Sequence, residues 1–123
     1  MKIPKPRIKL ATTYVWGFPP ESDTIKIPKE LYEIIKARLF KHITSIAPRI
    51  KLNIRFRAEF CYIDSIEDGH NMPLCRLHYY GDIESWGLGF YTYSNEKYTD
   101  CMFASGSLRG SLEGALDACR IYF

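Results

Sequence analysis

The sequence predicts an α+β fold, a two-layer sandwich in which an antiparallel sheet of three to five strands carries two helices on one face. The expected order is (β)-α-β-β-β-(β)-α. Three observations lead there. Apolar residues recur at three- and four-residue spacing in two segments, residues 31–46 and 112–123. Between them, apolar and polar residues alternate in several short runs, and turn-forming residues separate those runs at hairpin spacing. At 123 residues the chain has the length of one domain with a core of its own, and residues 1–123 are read as a single domain.

Each element follows from local chemistry. Residues 1–10 interleave Lys2, Lys5, Arg7 and Lys9 with Ile, Pro and Leu, and are read as a basic arm. It becomes a strand over residues 8–16, where Thr12, Thr13, Tyr14, Val15 and Trp16 favour extended backbone. Gly17, Pro19 and Pro20 break that strand. Pro28 opens a helix at a position where a missing N–H costs nothing, and Pro48 closes it. Leu31, Ile34, Ile35, Leu39, Ile43 and Ile46 fall on its apolar face. Lys36, Arg38, Lys41 and His42 lie in the later turns, where cations suit the helix dipole. They are also candidate phosphate contacts.

A strand then runs from Leu52, with Leu52, Ile54, Phe56, Ala58 and Phe60 on one side and Lys51, Asn53, Arg55, Arg57 and Glu59 on the other. A turn over residues 64–72 leads to a strand over residues 73–80, where Cys75, Leu77 and Tyr79 oppose Arg76 and His78. The next strand, residues 86–93, sets Trp86, Leu88 and Phe90 against Gly87, Gly89, Tyr91 and Tyr93. Residues 98–104 supply a further strand. Ser111 then caps a helix bearing Leu112, Ala115, Leu116, Cys119 and Phe123 on one stripe.

Composition excludes several classes. Hydrophobic residues at 46% and charged residues at 25% are globular values, so a disordered chain is not expected. No apolar run approaches the roughly 20 residues of a membrane span, and the N-terminus lacks the apolar core of a secretory signal. A cytoplasmic protein with no membrane partner is expected. Cys61, Cys75, Cys101 and Cys119 are widely spaced and form no Cys-x-x-Cys pair, so buried free thiols are expected. Charge is lopsided: residues 1–57 hold 13 Lys and Arg against 4 Asp and Glu, a net +9. Residues 58–123 hold 4 against 10, a net −6, which together give the chain's +3. That asymmetry serves either a polyanion or an attraction between the two halves, within the fold or in a homodimer.

Several polar clusters bring together groups that could carry chemistry. The run FCYIDSIEDGH (residues 60–70) gathers a thiol, a phenol, carboxylates and an imidazole. Cys61, His70, Cys75 and His78 do not match zinc-ligand spacing. Asp64, Glu67 and Asp68 would suit Mg²⁺ and phosphodiester cleavage, although acids at turns ordinarily bond to local N–H groups. Ser105, Gly106 and Ser107, ahead of the last helix, offer backbone N–H groups to an anion or simply a flexible turn. Neither a nucleophile elbow nor a phosphate loop occurs, and neither a catalytic residue nor a cofactor is assigned. The stronger pattern is the sheet face away from the helices. Arg55, Arg57, Arg76 and His78 share it with Tyr91 and Tyr93, joining phosphate-pairing groups to rings that stack on unpaired bases. A solvated antiparallel face with cross-strand Arg–Tyr contacts is the plainer explanation of the same residues.

Much of the second half resembles a group of small, uncharacterised prokaryotic proteins. The resemblance rests on RFRAEFCYID (residues 55–64), PLCRLHYYG (73–81), WGLGFYTYSNEKY (86–98) and FASGSLRG (103–110), and it carries no activity. Ser105-Gly106 followed by GSLEGALDA (110–118) is similar to the strand-to-helix passage of HicB-type antitoxins, which implies a degenerate ribonuclease-H-like domain that binds a toxin. Gly114 departs from the acidic residue usual there. The order α-β-β-β-α also resembles double-stranded-RNA-binding domains, without their Lys-rich second helix. Taken together, the expectation is a non-enzymatic domain binding nucleic acid, or a protein partner associated with it, through Arg55, Arg57, Arg76, His78, Tyr91 and Tyr93. A metal-dependent nuclease and an antitoxin-like protein-binding module are the alternatives.

Overall fold

The computed structural model describes residues 25–123. The expected basic arm of residues 1–10 and the strand over residues 8–16 lie outside that range. Within it, helix α1 (Tyr32–Ile46) precedes strands β1 (Lys51–Arg57), β2 (Phe60–Glu67), β3 (His70–Tyr79), β4 (Trp86–Thr92) and β5 (Lys97–Cys101), and helix α2 (Leu112–Ala118) closes the order. The strands form one antiparallel meander, β1-β2-β3-β4-β5. This is the α+β sandwich the sequence predicts, with the upper limit of five strands.

Helix α1 is entered through a 3₁₀ turn, Lys29–Leu31, that follows Pro28. It ends where Pro48 denies a continuing N–H, and Ala47 donates the last bond to the Ile43 carbonyl at 2.8 Å. Ile35, Leu39 and Ile43, one turn apart, are its buried residues; Ile34, expected on the same stripe, is half exposed. Helix α2 starts as the sequence indicates, with Ser111 Oγ accepting from the Gly114 N–H at 3.0 Å. One apolar cluster joins Ile35, Leu39 and Ile43 of α1, Leu112, Ala115 and Leu116 of α2, and Ile63, Leu77, Trp86 and Leu88 of the sheet. Both helices therefore lie on one side of the sheet, and among the described residues no element covers the other, the open face.

The turn between β1 and β2 overturns one expectation. The alternation from Leu52 does not run on to Phe60. The chain reverses at Ala58 and Glu59, so that Arg57 pairs with Phe60 and Phe56 with Cys61. Paired residues of an antiparallel ladder share a face. Phe60 therefore lies on the open face and Cys61 in the core. No Gly, Asn or Pro marks the turn. Ala58 takes a left-handed φ of 54°, and the turn carbonyls are held from outside: Ala58 accepts from Ile27 N–H at 3.0 Å and Glu59 from Tyr79 N–H at 2.8 Å.

The turn expected over residues 64–72 is much shorter. It is the pair Asp68 and Gly69, both left-handed at φ 52° and 79° as a two-residue hairpin requires. Leu74 is the extra residue of a bulge, since Ile63 pairs with Cys75 and Asp64 with Pro73. The bulge is where a strand tolerates Pro73, which has no N–H to give the ladder.

Part of the lopsided charge is paired between the helices and the loop beside them. Arg38 forks onto Glu113 at 2.7 and 2.9 Å and onto Glu84 at 2.7 and 2.9 Å. His42 Nε2 lies 2.8 Å from Asp117 Oδ1. The Arg38–Glu113 and His42–Asp117 contacts both join residues 75 apart, so the helices run side by side in the same direction, as an odd number of intervening strands dictates. The thiols are free; Cys61, Cys75 and Cys119 are wholly buried. Burial pushes the Cys61 thiol up to about 12. The Cys75 thiol is raised by its hydrogen bond to Cys119 and by burial.

Hydrogen bonding from Arg38 holds the Glu113 carboxyl below its ordinary range. The contribution of a depressed carboxylate is complete above its unfolded value, about 4.3, and is lost as pH falls through the lower folded value. Arg38→Gln is therefore expected to lower stability at neutral pH, and its difference from wild type should shrink as pH falls below about 4.3. Urea denaturation across that range checks this. Gly110 is closed to any side chain, because a Cβ there would lie 2.5 Å from the Phe103 ring. Gly110→Ala should cost about 1–3 kcal/mol in the same assay.

Candidate functional site

Register assigns the open face strand by strand. Arg55 and Arg57 come from β1, Phe60, Tyr62 and Asp64 from β2, Arg76 and His78 from β3, Gly87, Gly89 and Tyr91 from β4, and Tyr98 and Asp100 from β5. Of the residues expected there, Arg55, Arg57, Arg76, His78 and Tyr91 are thus brought together. Tyr93 stands one residue beyond β4; its ring meets Tyr91 edge-on at 4.8 Å and its hydroxyl donates to the Pro73 carbonyl at 2.9 Å.

The rings form a continuous track across the face. Tyr80 stacks on His78 at 4.2 Å, His78 meets Phe60 at 4.8 Å, and Phe60 meets Tyr62 at 6.0 Å. Tyr62 meets Tyr98 at 5.5 Å, and Tyr98 meets Tyr91 at 5.1 Å. Arginines lie over these rings. Arg76 is 4.3 Å from Phe60 and 5.2 Å from Tyr98, Arg55 is 5.1 Å from Tyr62, and Arg109 is 3.5 Å from Tyr80. Cation and quadrupole attract at these separations, and a guanidinium held over a ring still has N–H groups to donate.

Two acids temper the charge. Asp64 is almost wholly buried and lies 3.3 Å from Arg55, whose side chain is half exposed. Asp100 is solvent-exposed and stands 4.0 Å from Arg76. His78 is held below the ordinary imidazole range by burial, with Glu59 opposing and Arg76 assisting the shift. It is therefore neutral at neutral pH. Burial raises the Tyr98 and Tyr93 phenols, which stay protonated. Arg57 is exposed and makes no ion pair among the described residues.

The acids proposed for a metal do not converge. Asp64 and Glu67, three apart on β2, point to opposite faces. Asp68 occupies the hairpin turn, and Glu67 accepts from Ser65 Oγ at 3.4 Å. Among the described residues no group of three or more His, Cys, Asp or Glu is placed to hold a metal ion. Cys61 and Cys75 are in the core while His78 is on the open face, so the zinc spacing has no structural counterpart either. In the loop expected to offer N–H groups, the Gly106 N–H donates to Phe103 O, Ser107 N–H to Ser105 Oγ and Arg109 N–H to Ser107 Oγ. Those donors are already used. Arg38 and His42 are likewise taken by carboxylates and Lys36 stands 3.9 Å from Glu33, which leaves Lys41 exposed on the same helix.

Sequence reasoning missed Phe60, Tyr62, Tyr80, Tyr98 and Arg109. The hidden turn at Ala58 masked the first two. Alternation carried across the β4–β5 hairpin would have found Tyr98, but nothing local marks a loop arginine such as Arg109. Comparison with family models, with curated proteins and with solved structures returned no match. Among the described residues no helix is long and apolar enough to cross a membrane.

Removing Arg55 leaves the buried Asp64 carboxylate without its cation, which costs about 1–3 kcal/mol. Arg57→Ala, at an exposed residue, should stay within about 0.5 kcal/mol. Arg55→Ala with Asp64→Ala should recover part of the loss, read as urea midpoints of the three variants.

Proposed function

We propose that the open sheet face binds single-stranded nucleic acid, with Arg55, Arg57, Arg76 and His78 meeting the backbone and Tyr91 and Tyr93 meeting unpaired bases. The observation that carries this reading is that two of the three arginines already lie over aromatic rings before any ligand arrives. Ordering a long side chain is a main cost of binding, and here part of that cost is met by the fold. The neutral His78 adds a hydrogen bond without adding charge.

The rings divide into two groups. Phe60, Tyr62 and Tyr98 carry arginines and act as platforms for them. Tyr91 and Tyr93 touch one another edge-on, and Tyr93 is exposed, so these two are the rings offered to bases. Asp64 and Asp100 offset part of the positive charge, so the reading depends on how the donors are oriented rather than on net potential.

Filter binding to labelled single- and double-stranded RNA and DNA tests it. Affinity for single strands should fall with salt at a log–log slope near −2, about −0.7 for each of the three arginines. Arg57→Ala and Arg76→Ala should each flatten that slope by about 0.7. Tyr91→Ala and Tyr93→Ala should each cost about 1–3 kcal/mol with the slope unchanged. Arg49→Ala, at an exposed residue in the α1–β1 connection, should change nothing. No retention of any of the four nucleic acids at low salt sinks the reading.

A further inference from the structure

We propose that a pit on the open face, floored by Gly89 of β4 and flanked by Arg76 and Arg109, binds a terminal phosphate monoester. The pit exists because β4 carries two glycines on this face, Gly87 and Gly89, where neighbouring strands carry large side chains. Tyr80 folds over Gly87, its ring 3.2 Å from where a Cβ would stand. Gly89 has no such cover. What remains is a cavity of about 270 Å³, the right order of size for one nucleotide, whose walls are Arg76, His78, Tyr80, Asp100, Leu108 and Arg109.

Two features select the ligand. The first is charge: two guanidinium side chains line the pit, Arg76 from β3 and Arg109 from the loop before α2. Neither is committed to a close ion pair. Arg76 has Asp100 at 4.0 Å, with that carboxylate almost wholly in solvent, and Arg109 has no carboxylate partner among the described residues. Two planar forks converging on one cavity suit an anion with several free oxygens. The second is shape. The cavity has room for about one nucleotide, with Arg76, Leu108 and Arg109 among its walls. A chain end or a free mononucleotide fits that space. Asp100 is an acceptor alone, with Oδ1 3.7 Å from the Cβ position of Gly89, and it suits a sugar hydroxyl rather than the phosphate.

For any strand beyond the pit this rests on the strand-binding reading; for the phosphate itself it does not. The test uses one labelled oligonucleotide carrying a 5′-phosphate, a 3′-phosphate or hydroxyl ends only, followed by fluorescence anisotropy. In parallel, a nucleoside 5′-monophosphate and inorganic phosphate are titrated against the His78 ring signals by NMR. One phosphorylated end should bind about tenfold tighter than hydroxyl ends, and the nucleotide should shift His78 at lower concentration than inorganic phosphate. Arg109→Ala should erase both effects while leaving hydroxyl-ended binding intact. Gly89→Val, whose Cβ would meet the Thr99 carbonyl no closer than 3.4 Å, should do the same by filling the pit, with thermal melting as its folding control. If phosphorylated and hydroxyl-ended strands bind alike and neither phosphate shifts His78, the pit is not a phosphate site and the strand reading stands. If the mononucleotide shifts His78 while no strand binds, the pit stands and the strand reading falls.

Discussion

The carbonyls of Ala58 and Glu59 accept N–H bonds from Ile27 and Tyr79, and these two bonds hold the chain reversal between β1 and β2. A pleated strand has a period of two, so the number of residues in the reversal decides which side each residue of the next strand faces. With the reversal at Ala58 and Glu59, Cys61 and Ile63 enter the core while Phe60 and Tyr62 turn outward. A turn one residue longer would pair Arg57 with Cys61, sending thiols to water and phenols under the helices. The ring track, and the arginines that lie on it, therefore depend on a turn whose left-handed residue, at φ 54°, is an alanine. Its strain is tolerated because the segment before α1 and the end of β3 both bond to it.

Arginine is used in two ways in this fold. Arg38 is saturated, with two carboxylates meeting its fork, and it fastens α1 to α2 and to the β3–β4 connection. The basic first half and the acidic second half thus attract each other inside the molecule. On the open face the partners are rings. Arg76 and Arg109 lie over aromatic rings and, among the described residues, keep their donors unspent, which is the arrangement a site for an anion needs. Arg55 is intermediate: it rests on Tyr62 and also balances the buried Asp64, so it belongs to the fold as much as to any ligand.

The acidic residues show the same division. Asp64 sits inside the sheet face rather than in a loop, and its burial makes it a fixed counter-charge. Glu67 and Asp68 serve a strand end and a hairpin turn. Three carboxylates within five residues read as a metal cluster on paper, yet strand geometry sends the first and second of them to opposite sides.

The sequence alone determined the parts governed by local period and punctuation. The spacing of Ile35, Leu39 and Ile43 predicted α1, Ser111 predicted the start of α2, and alternation in β3 and β4 placed Arg76, His78 and Tyr91 on one face. Tertiary structure decided what depends on distant partners: the unmarked turn at Ala58, the added strand β2, the bulge at Leu74, and the approach of Arg109 to Tyr80. The physical reason is common to all four. A side chain's period is written in its neighbours, but a reversal without glycine and a contact between loop and strand are stabilised by groups far away in the chain, which no short window contains.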